Sequence, residues 1–492
     1  MKIKRNITAI SALAILVSAI TSCATDTDTP TTGMVDITSD TDAKTEAVTE
    51  ALRPAHNLPE MDFGGKTYRI SSVYEGEALA LVPDSMNGDS VNDITYERNA
   101  YLTETYNFVL EANAKYAGDH QNAVKKQILA GEDTFELILG NNVLTCNNAI
   151  EFLYRDLYEI PHLDFTQPWW PAQSVEQMTV YDKMFTITSN AAYLQFSVAE
   201  VLIFNKDLLA AHDLALPYDW VRDGVWTMDL MIAQTKDLYR DLNGDGKRDL
   251  DDQYGFITHP DQTGFLTSCD AQTLAATEDG GREISVMSDK MVSLVEMLYN
   301  WYYESGDALM TTFRGAEEHY TPKVFLKGHT AYSYAPIYYA TDNYRHGDIN
   351  YGIVPMPKFD REQDTYYVWA SPSLFSIPIT CQNEEFAGFV LEALSYYGYY
   401  DVVPAYYEQT LQGKIADAPD DAEMLTIIRD NLTASFAHCY DNWQGFGHLL
   451  GMRLGFTEKG GKKDLASAYE KGVKSAQKRL DKVLAGFAEE PS

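Results

Sequence analysis

The sequence predicts a mixed α/β protein built as two lobes, and three observations carry that reading. About 430 residues follow a short apolar leader and a polar stretch, too many for one ordinary core and enough for two. The first part of this body alternates strand-like and helix-like segments, and strand–helix–strand units imply a sheet covered by helices. No internal repeat and no later low-complexity segment competes with this architecture.

The elements follow in order. Tyr68–Val73 alternates as a strand does, and a polar loop around Pro83–Asp89 comes after it. A helix is predicted over Asn92–Tyr106, with Ile94, Tyr101, Leu102 and Thr105 on one side. Phe108–Ala112 reads as the next strand. His120–Ala130 reads as a helix stopped at Gly131. Phe135–Leu139 is a short buried strand ending at Gly140. Further on, a helix starts near Met228 with Thr227 as its cap, and Gln253-Tyr-Gly-Phe continues as strand or turn.

The leader fixes where the body works. Lys2, Lys4 and Arg5 precede an apolar run from Ile7 to Ile20, too short for a comfortable membrane span. The run ends in Ile20-Thr21-Ser22-Cys23, which resembles a bacterial lipobox. That resemblance makes Cys23 the lipidated N-terminus after cleavage; the plain alternative is a secretory signal with an incidental cysteine. Residues 24–58 are rich in Thr, Asp and Glu and bury too little apolar surface to offset their ordering entropy, so they read as a tether. The expected location is the extracellular face of the cell membrane, or the periplasm where two membranes exist, with the lipid as the only membrane contact.

A formal charge of −34 argues against nucleic acid, whose phosphates need Lys and Arg. Beyond Cys23 the cysteines are Cys146, Cys269, Cys381 and Cys439, far apart and without metal-ligand spacing, so no disulfide framework is expected. GxSxG, HExxH and Walker motifs are missing from the chain.

One segment carries its own chemistry. Asp241, Asn243, Asp245, Lys247 (through its carbonyl), Asp249 and Asp252 stand at positions 1, 3, 5, 7, 9 and 12 of a twelve-residue loop, with Gly246 at 6. A hard cation wraps itself in such oxygens, and structural calcium is the expected cofactor. Two departures matter: Asp252 replaces the usual Glu, and Arg248 stands where an aliphatic residue usually pairs with a second loop. The reading is a single half-hand that staples a helix to the next segment, against the alternative of an acidic turn without metal.

The chain also holds 33 Tyr and 7 Trp, enough to furnish ring platforms for the apolar face of a sugar as well as a core. Trp169, Trp170, Tyr332, Tyr334, Tyr338, Tyr339, Trp369 and Trp443 are candidates. Asn141 and Asn142 follow a strand's C-terminal end, where open α/β sheets place ligands.

The order of VNDITYERNAYLTETYNF, AGEDTFELI, PWW, VLIFNKDLLAAHDL, DGVWTMDLMIAQTKDL, DLNGDGKRDLDDQYGF, FLKGHTAYSY and YGIVPMPKFD resembles the extracellular solute-binding proteins (family 1 type) of carbohydrate ABC transporters. The resemblance implies a type II periplasmic-binding-protein-like fold, with two α/β lobes joined by hinge crossing strands and sugar bound between them. It divides the chain into a leader (1–23), a tether (24–58), lobe 1 (59–197 and 356–385) and lobe 2 (198–355 and 386–492). It also implies a monomeric binding protein, without catalysis, that passes an oligosaccharide or other small solute to an ABC permease. Where maltose-type relatives carry an aromatic and an acid, Asn141 and Asn142 stand here; the region of Tyr334 and Tyr338 matches one where relatives present a stacking aromatic. Two other readings are a secreted surface glycan hydrolase and an outer-membrane glycan-docking lipoprotein.

Overall fold

The computed structural model describes residues 55–116, 118–311, 321–411, 419–441, 456 and 460–488. Cys23 and Trp443 therefore lie outside the described residues. The body spans His56–Ser492. Its first residues already pack: the His56 ring stands edge-on to Tyr396 at 5.2 Å, and Leu58 lies against the first core. Among the described residues no helix is long and apolar enough to cross a membrane.

In chain order the strands are β1 (Lys66–Ser72), β2 (Phe108–Asn113), β3 (Leu137–Gly140), β4 (Glu200–Asn205), β5 (Tyr254–Thr258), β6 (Leu274–Ala276), β7 (Arg282–Ile284), β8 (Ala308–Met310), β9 (Thr330–Pro336), β10 (Tyr351–Pro355), β11 (Val368–Trp369), β12 (Leu374–Ser376) and β13 (Leu432–Thr433). Two main sheets result. Lobe 1 has the order β12-β3-β1-β2, with β1 parallel to both neighbours and β12 antiparallel to β3. Lobe 2 has the order β10-β4-β9-β5-β8. There β4 runs antiparallel to β9 and β10, whereas β5 is parallel to β8 and β9.

These pairings bring strand ends together. β1 and β3 end, and β12 begins, at one edge of the lobe 1 sheet. β5, β9 and β10 end, and β4 begins, at one edge of the lobe 2 sheet. The crossing near Ala199, bridged to Ala370, adjoins this second edge.

The helix predicted over Asn92–Tyr106 runs Ser90–Tyr106, capped by the Asp89 carboxylate, which accepts from the amides of Val91 and Asn92. Of the side expected, Leu102 is buried and Ile94 packs against a core, but Tyr101 and Thr105 are exposed, and Val91, Thr95, Arg98, Asn99 and Tyr106 complete the inward face. Arg98 fits because its guanidinium donates to the carbonyls of Leu81 and Ala191, and a buried cation needs such partners. The helix near Met228 spans Met228–Thr235. Thr227 is its first flanking residue, but no side-chain bond caps it.

The expected lobe boundaries need correction at two places. Residues 356–366 stay with lobe 2, since Met356 and Tyr366 sit in its core and Lys358 bonds the Trp226 carbonyl through its amide. The region 386–492, expected on lobe 2, divides. The helix Glu384–Tyr397 packs on lobe 1: the Phe386 ring lies 4.5 Å from Phe63, Phe389 lies 4.7 Å from Tyr106, and the Tyr68 hydroxyl donates to the Ala387 carbonyl. The helix Pro419–Asp430 belongs to lobe 2 through buried Asp421, which accepts from Lys206, the Tyr218 hydroxyl and the Ile353 amide. The helix Leu465–Ala488 joins both, with Leu465 in the second core and Leu480, Val483 and Phe487 in the first.

Candidate functional site

The site is built where the two sheet edges meet the crossing. From lobe 2 comes Glu200, the first residue of β4, 3% exposed and with Oε2 bonded to nothing among the described residues. Alternation on β4 turns Glu200, Leu202 and Phe204 toward the lobe 2 core. Burial raises the Glu200 pKa far above the carboxylate range, and the neighbouring Asp261 carboxylate adds to the shift. Asp261 follows β5 and accepts from the Thr263 amide at 3.0 Å and its hydroxyl at 2.7 Å. His259 stacks on Tyr334 at 4.5 Å, and burial lowers its pKa to about 4, so the ring is neutral at pH 7. His438 stands edge-on to Trp369, with ring centroids 5.2 Å apart.

A cavity of about 830 Å³ is lined from both lobes and from the residues just before the crossing, and Glu200, His259, Asp261 and His438 are not among its lining residues. Lobe 1 lines it with Asp84, Asn87, Asp89 and Asn92, lobe 2 with Tyr338, Asp342 and Arg345, and the stretch before the crossing with Tyr193 and Ser197. Tyr193 stacks flat on Tyr406 at 4.7 Å, which gives the cavity a ring platform. Three carboxylates against one guanidinium make it an acceptor-rich surface for a ligand that carries hydroxyl donors. A second cavity, of about 750 Å³, lies between Tyr158–Asp182 and the β6–β7 hairpin. There the Arg282 guanidinium donates to the carbonyls of Glu176, Gln177 and Thr179, tying the hairpin to the end of the helix Ala172–Met178.

The residues expected at the site fare unequally. Tyr338 lines the first cavity. Asn141 caps the helix Asn142–Ala149 and donates to the Tyr74 hydroxyl at 3.3 Å, while buried Asn142 donates to the Ser371 hydroxyl. Tyr334 is buried, its ring on His259 and its oxygen accepting from the Gly264 amide, so no face is open for stacking. Trp369 is likewise buried against His438. Trp169 and Trp170 are not sugar platforms: both sit in the lobe 1 core, and both indole N–H groups donate to Glu392. Two adjacent indoles pack there because one buried carboxylate satisfies both donors.

Glu200, His259, Asp261 and His438 were not among the expected residues. His259-Pro260-Asp261 follows a strand end, the same signal that singled out Asn141. Glu200 is the one acid in a fully buried strand whose next four residues are apolar, which is also a readable signal.

The loop 241–252 adopts a tight cradle. Gly244 and Gly246 take φ of +74° and +73°, which only glycine adopts freely. Asp241 accepts from the amides of Gly244 (2.6 Å) and Gly246 (2.9 Å), Asn243 from that of Asp245, and Asp245 from that of Lys247. Buried Asp252 accepts from the amides of Leu242 and Asp249 and from the Tyr239 hydroxyl. Arg248 lies over the Tyr239 ring at 4.5 Å, which accounts for a cation where a paired loop would want an aliphatic residue. Among the described residues no three His, Cys, Asp or Glu side chains gather about one point. The donor set consists of oxygens alone, which suits a hard cation.

Two α/β lobes joined by crossing segments, with a site at their facing sheet edges, define the fold of the two-lobed periplasmic binding proteins. Solved structures share it. A cyclo/maltodextrin-binding protein complexed with maltotetraose superposes with a TM-score of 0.56 at 13% identity, over 85% of this chain and 97% of that one. The cyclic alpha-maltosyl-1,6-maltose binding protein from Arthrobacter globiformis gives 0.54 at 13% identity, over 86% and 100%. The maltose/maltodextrin-binding domain MalE from Bdellovibrio bacteriovorus, bound to maltotriose, gives 0.51 at 14% identity, over 85% and 99%. No family model matches the sequence, and no curated protein matches it.

Proposed function

We propose that this chain is a lipid-anchored, monomeric substrate-binding protein that takes an oligosaccharide between its lobes and passes it unchanged to an ABC permease. The observation that carries the reading is the acidic, tyrosine-lined cavity contributed by both lobes beside the crossing. A ligand that touches both lobes favours the closed arrangement by its differential affinity. Cys23 supplies the anchor in this reading, and residues 24–54 the reach. The test is a thermal-shift screen of residues 58–492 against mono- and oligosaccharides. A sugar at a hundred times its dissociation constant adds about 2.7 kcal/mol, several degrees of melting temperature, and is recovered intact. Silence across a broad panel of sugars would sink the oligosaccharide reading, and release of reducing ends would replace it with hydrolysis.

We also propose that the loop 241–252 binds calcium structurally, through Asp241, Asn243, Asp245, the Lys247 carbonyl, Asp249 and Asp252. The support is the all-oxygen donor set on a backbone already turned by Gly244 and Gly246. Chelator-stripped protein is expected to give a calcium binding heat and to melt higher once calcium returns, and Asp241→Ala is expected to abolish both. A stripped protein that shows neither effect has an acidic turn instead.

A further inference from the structure

The cavity of about 750 Å³ shares no lining residue with the first and has no part in the proposed function. Its volume is inside the roughly 300–1,000 Å³ span of small-molecule sites. Lobe 1 lines it with Tyr158, Tyr181 and Asp182, lobe 2 with the β6–β7 hairpin and the start of the helix Asp289–Tyr299. Tyr158 is 45% exposed, yet its ring is fixed: the hydroxyl lies 2.8 Å from the Thr179 hydroxyl, and Phe165 stands edge-on to the ring at 5.3 Å. A ring held at its hydroxyl and braced on one side loses little freedom when a ligand stacks on it. Another part of the wall is strained. Tyr181 and Asp182 take φ of +49° and +58° between Val180 and Lys183, whose amides and carbonyls exchange two bonds of 3.0 Å. Such a two-residue turn, left-handed at both central positions, suits Asn and Gly rather than Tyr. The Tyr181 amide donates to the Gly280 carbonyl at the hairpin tip at 3.0 Å, and its hydroxyl lies so close to Gly281 that a Cβ there would come within 2.7 Å of it. The strained turn thus sets Tyr181 against the lobe 2 hairpin and keeps Asp182 at the cavity, and strain of this kind collects at ligand sites.

The charges of the lining select the ligand. Glu176, Asp182 and Asp270 bring carboxylates, which turn away an anion. Lys290 lies 3.2 Å from Asp270, and the Arg282 guanidinium, engaged with the carbonyls of Glu176, Gln177 and Thr179, keeps its charge at the cavity; both turn away a cation. What fits is a neutral molecule with an apolar face for the ring and hydroxyls around its edge. For those hydroxyls the carboxylates accept, while the Gln177 and Gln272 amides, the Ser288 hydroxyl and Lys290 donate. We propose that this cavity is a second saccharide site, which takes a neutral pyranose-based sugar stacked on Tyr158 with Asp270 and Lys290 on its hydroxyls. It goes beyond the proposed function, which concerns the first cavity, and does not rest on it. Because both lobes wall the site, a sugar held there favours the arrangement of the lobes in which it fits.

The experiment uses the full chain with Cys23→Ser, titrated calorimetrically with neutral trisaccharides of glucose, galactose, mannose and xylose, and with spermidine and trigalacturonate as charged probes. Tyr338→Ala weakens the first cavity without touching the second, so binding in that background reports on the second. There at least one neutral trisaccharide is expected to bind. Adding Tyr158→Ala is expected to lower its affinity by roughly tenfold or more, whereas Tyr158→Phe, which keeps the ring, lowers it by less than about threefold. Tyr158 is a surface residue, and an unchanged melting temperature of both variants shows that the fold is intact. Failure of every neutral trisaccharide to bind the Tyr338→Ala protein, or binding that Tyr158→Ala leaves unchanged, would overturn the proposal. So would spermidine or trigalacturonate as the sole ligand, since charge and not the ring would then decide. A sugar lost with Tyr338→Ala but kept with Tyr158→Ala supports the proposed function and overturns the second site; the reverse pattern does the opposite, so the two readings fail separately.

Discussion

Glu392→Ala is expected to cost about 3–5 kcal/mol of stability, because it leaves two buried indole N–H groups without an acceptor. The carboxylate takes Trp169 Nε1 at 2.8 Å on one oxygen and Trp170 Nε1 at 2.9 Å on the other. Burial pushes its pKa from 4.5 up to about 7, against the pull of the two indoles. A carboxyl raised on folding keeps a proton that the unfolded chain gives up earlier. Its contribution to stability is therefore whole below pH 4.5 and falls as pH rises toward 7, by roughly 3 kcal/mol in all. Glu77, also raised to about 7 by burial, adds a slope of the same sign in the same window. Glu392→Gln isolates one from the other: it is expected to flatten the pH dependence while retaining an acceptor for one indole. Urea unfolding of the three proteins at pH 5 and pH 8 measures this. A Gln variant with the wild-type slope, or an Ala variant with the wild-type midpoint, would count against the account.

The Trp pair also shows what was legible in the sequence. Strand and helix positions were readable because they depend on local pattern. The strand expected at Phe108–Ala112 runs Phe108–Asn113, and the helix expected at His120–Ala130 runs His120–Leu129. What each face meets depends on partners far away in the chain. Trp169 and Trp170 between prolines look like exposed platforms until Glu392, more than 200 residues on, supplies their acceptor. The inward face of Ser90–Tyr106 includes Arg98 and Asn99, which an apolar-periodicity argument assigns to solvent. The carbonyls of Leu81 and Ala191 that satisfy Arg98 belong to other segments. Lobe membership of the C-terminal helices was equally hidden, since the match of Phe386 and Phe389 to Phe63 and Tyr106 is a fact of three dimensions. The expected residue that does line the cavity, Tyr338, stands just past a strand's C-terminal end, where chain topology already places ligands.

Glu200→Gln is expected to make the protein more stable and a poorer binder. Glu200 is buried at the crossing beside Asp261, and its Oε2 has no hydrogen-bond partner among the described residues, so the empty protein bears a desolvated carboxyl with one oxygen unsatisfied. Because burial and Asp261 hold a proton on this carboxyl well above its ordinary range, the neutral isostere spares the fold the cost of taking that proton up, a gain of about 1–3 kcal/mol in the ligand-free state at neutral pH. A protein selected for folding alone would not keep an acid there. An acid makes sense if a ligand's hydroxyl donors complete its hydrogen bonds, so that the cost borne by the empty state is recovered on binding. On that account the Gln variant, with fewer acceptor lone pairs and a donor in the wrong place, loses roughly 10–100-fold in sugar affinity, the equivalent of about 1.4–2.8 kcal/mol. Differential scanning calorimetry without ligand and titration with the best sugar from the screen measure the two halves independently. A variant that melts higher and binds as tightly as wild type would leave Glu200 an unexplained strain, with the ligand held by the cavity of Tyr193 and Tyr338 alone. A variant that melts lower would mean that the acid is satisfied inside the fold, and the crossing would then have no vacancy for a ligand to fill.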